Sequence, residues 1–297
     1  MPTSLRPRRS ALYVPGDKSR AIEKARGLPA DTVIFDLEDA VAPANKELAR
    51  RQAIEAVSSR SYGRRECVIR INALASEWGH ADLAAVAKSG ADAVLLPKIE
   101  NAAMVREAEA ALVAAGAPSE LTLWCMIETP RGVLRAEEIA DASPRVACLV
   151  MGTTDLANDL QAGHTPDRAP LLHALSHCLL AARAAGLACL DGVQLDLEDE
   201  AGFERVCRQG MAMGFDGKTL IHPKTVETTN RIYGPSAADI DDARKIVAAY
   251  TTAEAAGKGV TVVDGKLVEQ LHVSAAQRVI GLAEQIALLV EEAGLAP

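Results

Sequence analysis

Apolar residues in this chain gather into eight short runs, each four to seven residues long. They are Ala11–Val14, Thr32–Leu37, Cys67–Ile71, Ala93–Leu96, Leu121–Ile127, Val146–Met151, Leu187–Leu190 and Gly217–Ile221. The runs are mostly continuous rather than alternating, the pattern of strands covered on both faces. Helical periodicity fills the gaps. Glu47–Val57 puts Leu48, Ile54 and Val57 on roughly one face. Leu171–Ala185 is rich in Ala and Leu and stops at Gly186, a residue suited to the C′ position. Strict β-then-α alternation implies a parallel sheet with right-handed crossovers. Eight repeats predict an α/β fold, a closed (β/α)₈ TIM barrel over residues 1–234. An open doubly wound sheet is the alternative, but its G-x-G-x-x-G fingerprint is absent.

Gly234-Pro235-Ser236 marks a boundary, and residues 235–297 read as an extension. A helix is expected over Ala237–Ala256, then a hairpin of Val260–Val263 and Lys266–Val268 turning at Asp264-Gly265. An amphipathic helix from about Val273 to Glu292 closes it. Such a tail cannot bury its apolar side alone, so it should pack on the barrel or on a neighbouring subunit.

Chemistry in a barrel of this kind sits at the C-terminal strand ends. There the sequence offers Asp17-Lys18, Asp36-Leu37-Glu38-Asp39, Arg70-Ile71-Asn72, Pro97-Lys98, Glu128-Thr129, Gly152-Thr153-Thr154-Asp155, Asp191 and His222-Pro223-Lys224. Glu128 and Asp155 end neighbouring runs and would repel without a cation between them. A hard divalent ion, Mg²⁺ for preference, resolves this. Arg70 ends a buried strand and needs an anion. That anion is either local, Asp36 or Glu38, or a substrate carboxylate held bidentately. At least one of Asp36, Glu38 and Asp39 should face a cation or a metal-bound water, and another could cap the following helix.

Composition narrows the class. Net charge is −8 and aromatics are only 3%, so no broad cationic face exists for nucleic acid. The six cysteines form no CxxC pair, which suits a reducing compartment, the cytoplasm. No apolar run approaches the ~18 residues of a membrane helix, so no membrane is expected. Gly217-Lys218-Thr219 lacks the first glycine of a phosphate loop. His173 and His177 have metal-like spacing without the glutamate of a zinc protease.

The ordered set Arg9–Gly16, Asp36–Asp39, Arg70–Asn72, Leu96–Lys98, Ile127–Thr129, Met151–Asp155 and Gly217–Pro223 resembles the citrate lyase β-subunit-like family, which includes malyl-CoA and citramalyl-CoA lyases. The resemblance implies Mg²⁺ on Glu128 and Asp155, with waters near Glu38 and Asp39. It implies Arg70 on the bound acid, and CoA phosphates near Lys18, Arg20 and Lys24, with His222 and Pro223 also lining the cofactor side. It implies a homo-oligomer, trimer or hexamer, in which one subunit's tail covers a neighbour's site. Glu269 stands where the family lyases carry the aspartate that handles the proton at the acyl carbon. It is one methylene longer, and the following proline is missing. Lys224 replaces a glutamine common after His-Pro.

The first expectation is therefore a Mg²⁺-dependent carbon–carbon lyase that splits a 3-hydroxyacyl thioester into an acetyl thioester and a 2-oxo acid. Arg70, Glu38, Asp39 and Glu269 would be its catalytic groups. The alternatives are a thioesterase of malyl-CoA type using the same metal, a non-catalytic acyl-CoA-binding barrel, and an aldolase acting on free 2-oxo acids.

Overall fold

The computed structural model describes residues 6–292. Eight parallel strands follow the predicted runs: β1 (Ser10–Pro15), β2 (Thr32–Asp36), β3 (Glu66–Arg70), β4 (Ala93–Leu96), β5 (Thr122–Ile127), β6 (Val146–Met151), β7 (Ala188–Asp191) and β8 (Gly217–Leu220). They close into a barrel in chain order, with β1 pairing β8 at Ala11 and Thr219. Closure removes the open-sheet alternative.

Period-two alternation divides each strand between two cores. Ala11, Ile34, Val68, Ala93, Leu95, Trp124, Met126, Cys148, Val150 and Leu190 fill the barrel lumen. Small Ala11 and Ala93 leave room there for the fully buried Trp124. The larger core lies between strands and helices, and includes Leu12, Val33, Ile69, Leu96, Ile127 and Leu149. The helix Lys46–Ser58 turns a smaller face inward than periodicity suggested. Ala49, Ala53, Ala56 and Val57 are buried, while Leu48 and Ile54 are only half-buried. Small side chains bring its backbone close to the barrel.

In the extension, Ser236 and Asp239 form a capping box at the start of helix Ala237–Ala255. The antiparallel pair β9 (Thr261–Val263) and β10 (Lys266–Val268) turns through Asp264 (φ 48°) and Gly265 (φ 77°). Both lie in the left-handed region, as a two-residue Asp-Gly hairpin turn requires. Tyr250, Val268 and Val273 make a small core of their own. The last helix spans Gln270–Glu292, three residues longer than expected. By length and mean hydropathy (1.3) it matches a membrane span. Gln277, Arg278, Glu284 and Gln285 gather on one side and give it a polar face. Arg278 donates to Asp216 at 3.0 Å, and Glu292 pairs with Arg64 at 2.9 Å. Asp216 and Arg64 precede β8 and β3, so this helix is anchored at the N-terminal end of the barrel.

Candidate active site

The strand alternation decides which tip residues meet. Ile34, Val68, Met126 and Val150 point into the lumen. Two residues on, Asp36, Arg70, Glu128 and Gly152 continue those inward faces to the barrel mouth. Asp191 follows the inward Leu190 and therefore faces outward. It lies under the helices, between Arg168 (2.7 Å) and the fully buried Lys218 (3.1 Å). The tip of strand seven thus contributes a structural charge cluster rather than a group at the mouth.

Arg70 meets a local anion. Asp36 and Arg70 are register partners on β2 and β3. Arg70 Nε and Nη2 donate to the two carboxylate oxygens of Asp36 at 2.7 and 2.6 Å. The same oxygens accept from the backbone N–H groups of Glu38 (2.9 Å) and Ala40 (3.1 Å), which fixes the loop carrying the acids. Only Nη1 lies outside this fork. It stands 3.1 Å from Glu38 Oε2 and 3.3 Å from Asp39 Oδ2. The guanidinium sits over the Tyr13 ring, 4.8 Å from its centre. Lys46 secures the loop from behind, its buried ammonium donating to the carbonyls of Leu37 (2.8 Å) and Glu38 (2.6 Å). Sequence reasoning missed Lys46, because a lysine opening a helix reads as solvent-exposed.

Glu128 is 1% exposed and accepts from the backbone N–H of Lys98 at 2.7 Å. Lys98 adopts φ 51°, uncommon for a residue with a side chain. Its ammonium is 3.8 Å from Glu38 Oε1 and 3.9 Å from Asp155 Oδ2. Asp155 lies in the first turn of helix Thr153–Asp159, with its side chain partly exposed. Glu38, Asp39, Arg70, Glu128 and Asp155 therefore converge around Lys98. Lys18, Arg20 and Lys24 are exposed just beyond β1, with Lys18 paired to Asp17 at 2.8 Å. His222 follows β8 and accepts from the Lys224 N–H at 3.1 Å, and Pro223 opens the next turn. Glu269 does not join this group. It stands at the head of the last helix, on the extension anchored at the other end of the barrel, where its N–H donates to His272.

The carboxylates lack sufficient countercharge. Burial pushes Glu38 up to about 8, with Asp39 and Glu128 adding to the shift against Arg70 and Lys98. Burial pushes Glu128 up to about 7; the Lys98 N–H opposes the shift and Asp155 adds to it. Glu38 Oε2 is buried and, although close to Arg70 Nη1, is not aligned for a hydrogen bond. Partial burial opposes the charge on Lys98, yet Glu38, Asp39, Glu128 and Asp155 together hold its ammonium above the usual value. This donor set of hard oxygens suits a divalent cation. Among the described residues, no three His, Cys, Asp or Glu side chains form a ready cage. Two carboxylates, with water or ligand oxygens completing the shell, is the habit of Mg²⁺.

Residues 9–223 match the HpcH/HpaI aldolase/citrate lyase family. The chain belongs to that family. It is 50% identical over 281 residues to a (3S)-malyl-CoA thioesterase of Cereibacter sphaeroides, covering 95% of this chain and 96% of that one. It is 38% identical over 284 residues to the citrate lyase subunit beta of Escherichia coli, covering 94% of each. Among solved structures, CitE of Mycobacterium tuberculosis in complex with magnesium, acetoacetate and coenzyme A superposes with a TM-score of 0.74 at 31% identity. That match covers 93% of this chain and 97% of the other. The fold and the citrate lyase β-like affiliation expected from the motifs are thus shown.

Proposed function

We propose that this protein hydrolyses a CoA thioester of malyl type. The observation that carries this reading is the 50% identity, over nearly the whole of both chains, to a (3S)-malyl-CoA thioesterase. It moves hydrolysis ahead of carbon–carbon cleavage, the first expectation from the motifs. Glu128 and Asp155 would hold Mg²⁺, which when bound polarises the oxygens of the acyl head. The CitE neighbour, described with magnesium and coenzyme A, supports this cofactor and ligand class.

The chain's own groups then divide the work. The Asp36 fork fixes Arg70 so that Nη1 alone faces the acyl carboxylate. Glu38, with its proton affinity near neutrality, suits acid–base work. It takes a proton from the water that attacks the thioester carbonyl. As the carbon–sulfur bond breaks, it returns that proton to the departing thiolate. Asp39 steadies Nη1 from the solvent side. Lys18, Arg20 and Lys24 offer positive charge to CoA phosphates, with His222 and Pro223 across the mouth.

Cleavage to an acetyl thioester and a 2-oxo acid is the second reading, favoured by the citrate lyase β relatives at 38–39% identity. It would need a proton delivered to the acyl carbon. Glu269 could supply it only from a neighbouring copy, given where the extension is anchored. The exposed Val262, Leu267 and Leu271 beside it suit contact with such a copy in a homotrimer or hexamer. We place the protein in the cytoplasm on its six free, buried cysteines.

The test is to incubate malyl-, citramalyl- and citryl-CoA with enzyme, with and without Mg²⁺. Free thiol with intact hydroxy acid supports hydrolysis. Glyoxylate, pyruvate or oxaloacetate as the main product would replace it with the lyase. Unchanged activity and Mg²⁺ binding in Glu128→Ala would remove the metal assignment.

A further inference from the structure

We propose that Lys98 is the resident counter-ion of this site, and that a divalent cation binds by displacing its ammonium. The inference rests on the metal reading above and concerns what the protein does before the ion arrives.

Two side-chain cations stand among the carboxylates, and they are held differently. Arg70 is locked, with two of its three nitrogens in the Asp36 fork and its guanidinium over the Tyr13 ring. Lys98 is not locked. Its Nζ lies 3.8 Å from Glu38 Oε1 and 3.9 Å from Asp155 Oδ2, beyond hydrogen-bond distance of both. It is held by the field of acids on either side, and its side chain is 47% exposed toward the mouth. A lysine ammonium on four flexible carbons can withdraw along that route at small cost.

The backbone is built for this double duty. At φ 51°, Lys98 turns its N–H onto Glu128 Oε1 at 2.7 Å, while its Nζ reaches Glu38 and Asp155. The next N–H, from Ile99, bonds to the carbonyl of Met126 at 3.3 Å and ties this turn to β5. One residue thus orients Glu128 through its main chain and partly offsets the charge of Glu38 and Asp155 through its side chain. An ion between Glu128 and Asp155 would compete with Nζ for the same negative field, because two cations at such short range repel strongly.

Removal of this charge should therefore tighten metal binding, and should leave the metal-free site worse off. The experiment is calorimetric titration of Mg²⁺ into the full chain, as wild type, Lys98→Met and Lys98→Arg, with melting measured in EDTA and in saturating Mg²⁺. The expected result is about tenfold tighter Mg²⁺ binding by Lys98→Met, with Lys98→Arg within threefold of wild type. Lys98→Met should melt below wild type in EDTA, and the gap should close with Mg²⁺. Equal or weaker Mg²⁺ binding by Lys98→Met, or equal behaviour of the Met and Arg variants, would overturn the counter-ion role. Lys98→Gln carries the same expectation if the methionine variant does not fold. Wild type that binds no Mg²⁺ would overturn the metal reading along with this one. Wild type that binds Mg²⁺ identically to Lys98→Met would overturn this one alone.

Discussion

Gly152 stands against Glu128 so closely that a Cβ on Gly152 would lie 2.3 Å from the Glu128 Cβ and 2.7 Å from its Oε2. The end of β6 must lack a side chain for the buried carboxylate of β5 to hold its place. Gly152→Ala should keep the barrel but displace Glu128, costing about 1–3 kcal/mol in stability. We expect thioester hydrolysis to fall at least tenfold and Mg²⁺ affinity to fall with it. Gly163→Ala, with no atom within 4 Å of the added carbon, is the control. Steady-state kinetics and urea unfolding of the two variants check this.

The Asp36–Arg70 fork is buried, with both side chains under a tenth exposed. Loss of Asp36 leaves Arg70 Nε and Nη2 buried without their acceptors, and loss of Arg70 adds an unpaired carboxylate to a mouth already rich in acids. Asp36→Asn should cost about 3 kcal/mol and also loosen the Glu38 loop, whose N–H groups it holds. Asp36→Leu combined with Arg70→Met should recover part of that stability while leaving the protein inactive. A double-mutant cycle in urea measures the coupling. A loss below about 0.5 kcal/mol for Asp36→Asn would show that the fork carries no weight.

The strand runs were legible because buried parallel strands need near-continuous apolar sequence, and the tips because charge cannot stay inside the barrel. Glu128 and Asp155 stood out for that reason. What alternation adds is direction: it sends Asp36, Arg70 and Glu128 inward and Asp191 outward, a distinction that depends on knowing which strand residue faces the lumen. The choice of Asp36 as the partner of Arg70 follows from the β2–β3 register. The sequence left this open between Asp36, Glu38 and a ligand. The role of Lys98 rests on one backbone angle, and that of Lys46 on two carbonyls of a folded loop, and neither leaves a mark in composition or spacing. Glu269 was read from its place in a motif, and only the ion pairs of the last helix show at which end of the barrel the extension is anchored.

Glu38 and Glu128 should make the metal-free protein less stable as pH rises. Both are held above the ordinary value of 4.5 in the folded state, Glu38 at about 8 and Glu128 at about 7. The folded protein therefore binds more protons than the unfolded chain between pH 4.5 and 8. The sign of the linkage is that stability is fully present below pH 4.5 and is lost as pH climbs through 7 and 8. In EDTA, the melting temperature attributable to these groups should drop by roughly 5 °C or more between pH 5 and pH 8.5. Glu38→Gln should flatten the decline, since its amide does not titrate. Saturating Mg²⁺ should flatten it too by stabilising the ionised forms. Differential scanning fluorimetry across that range tests both, and an equal slope in wild type and Glu38→Gln would contradict the assignment.

Lys18, Arg20 and Lys24 are exposed beside the mouth, and their proposed role is with the nucleotide end of CoA rather than with the reacting carbonyl. Lys18 already spends part of its charge on Asp17, so Arg20 and Lys24, four residues apart on one short helix, should carry more of the effect. Arg20→Glu with Lys24→Glu should raise KM for a malyl-CoA thioester about tenfold, with kcat changed less than twofold. Added salt should shrink the difference, because exposed charges are screened within about 10 Å at 0.1 M. The same acyl group on a short thiol that lacks the nucleotide should be hydrolysed equally by both proteins. Equal KM values for the CoA substrate would instead move the phosphate contacts away from this helix, leaving the carboxylate cluster around Lys98 as the part of the site that binds the acyl head alone.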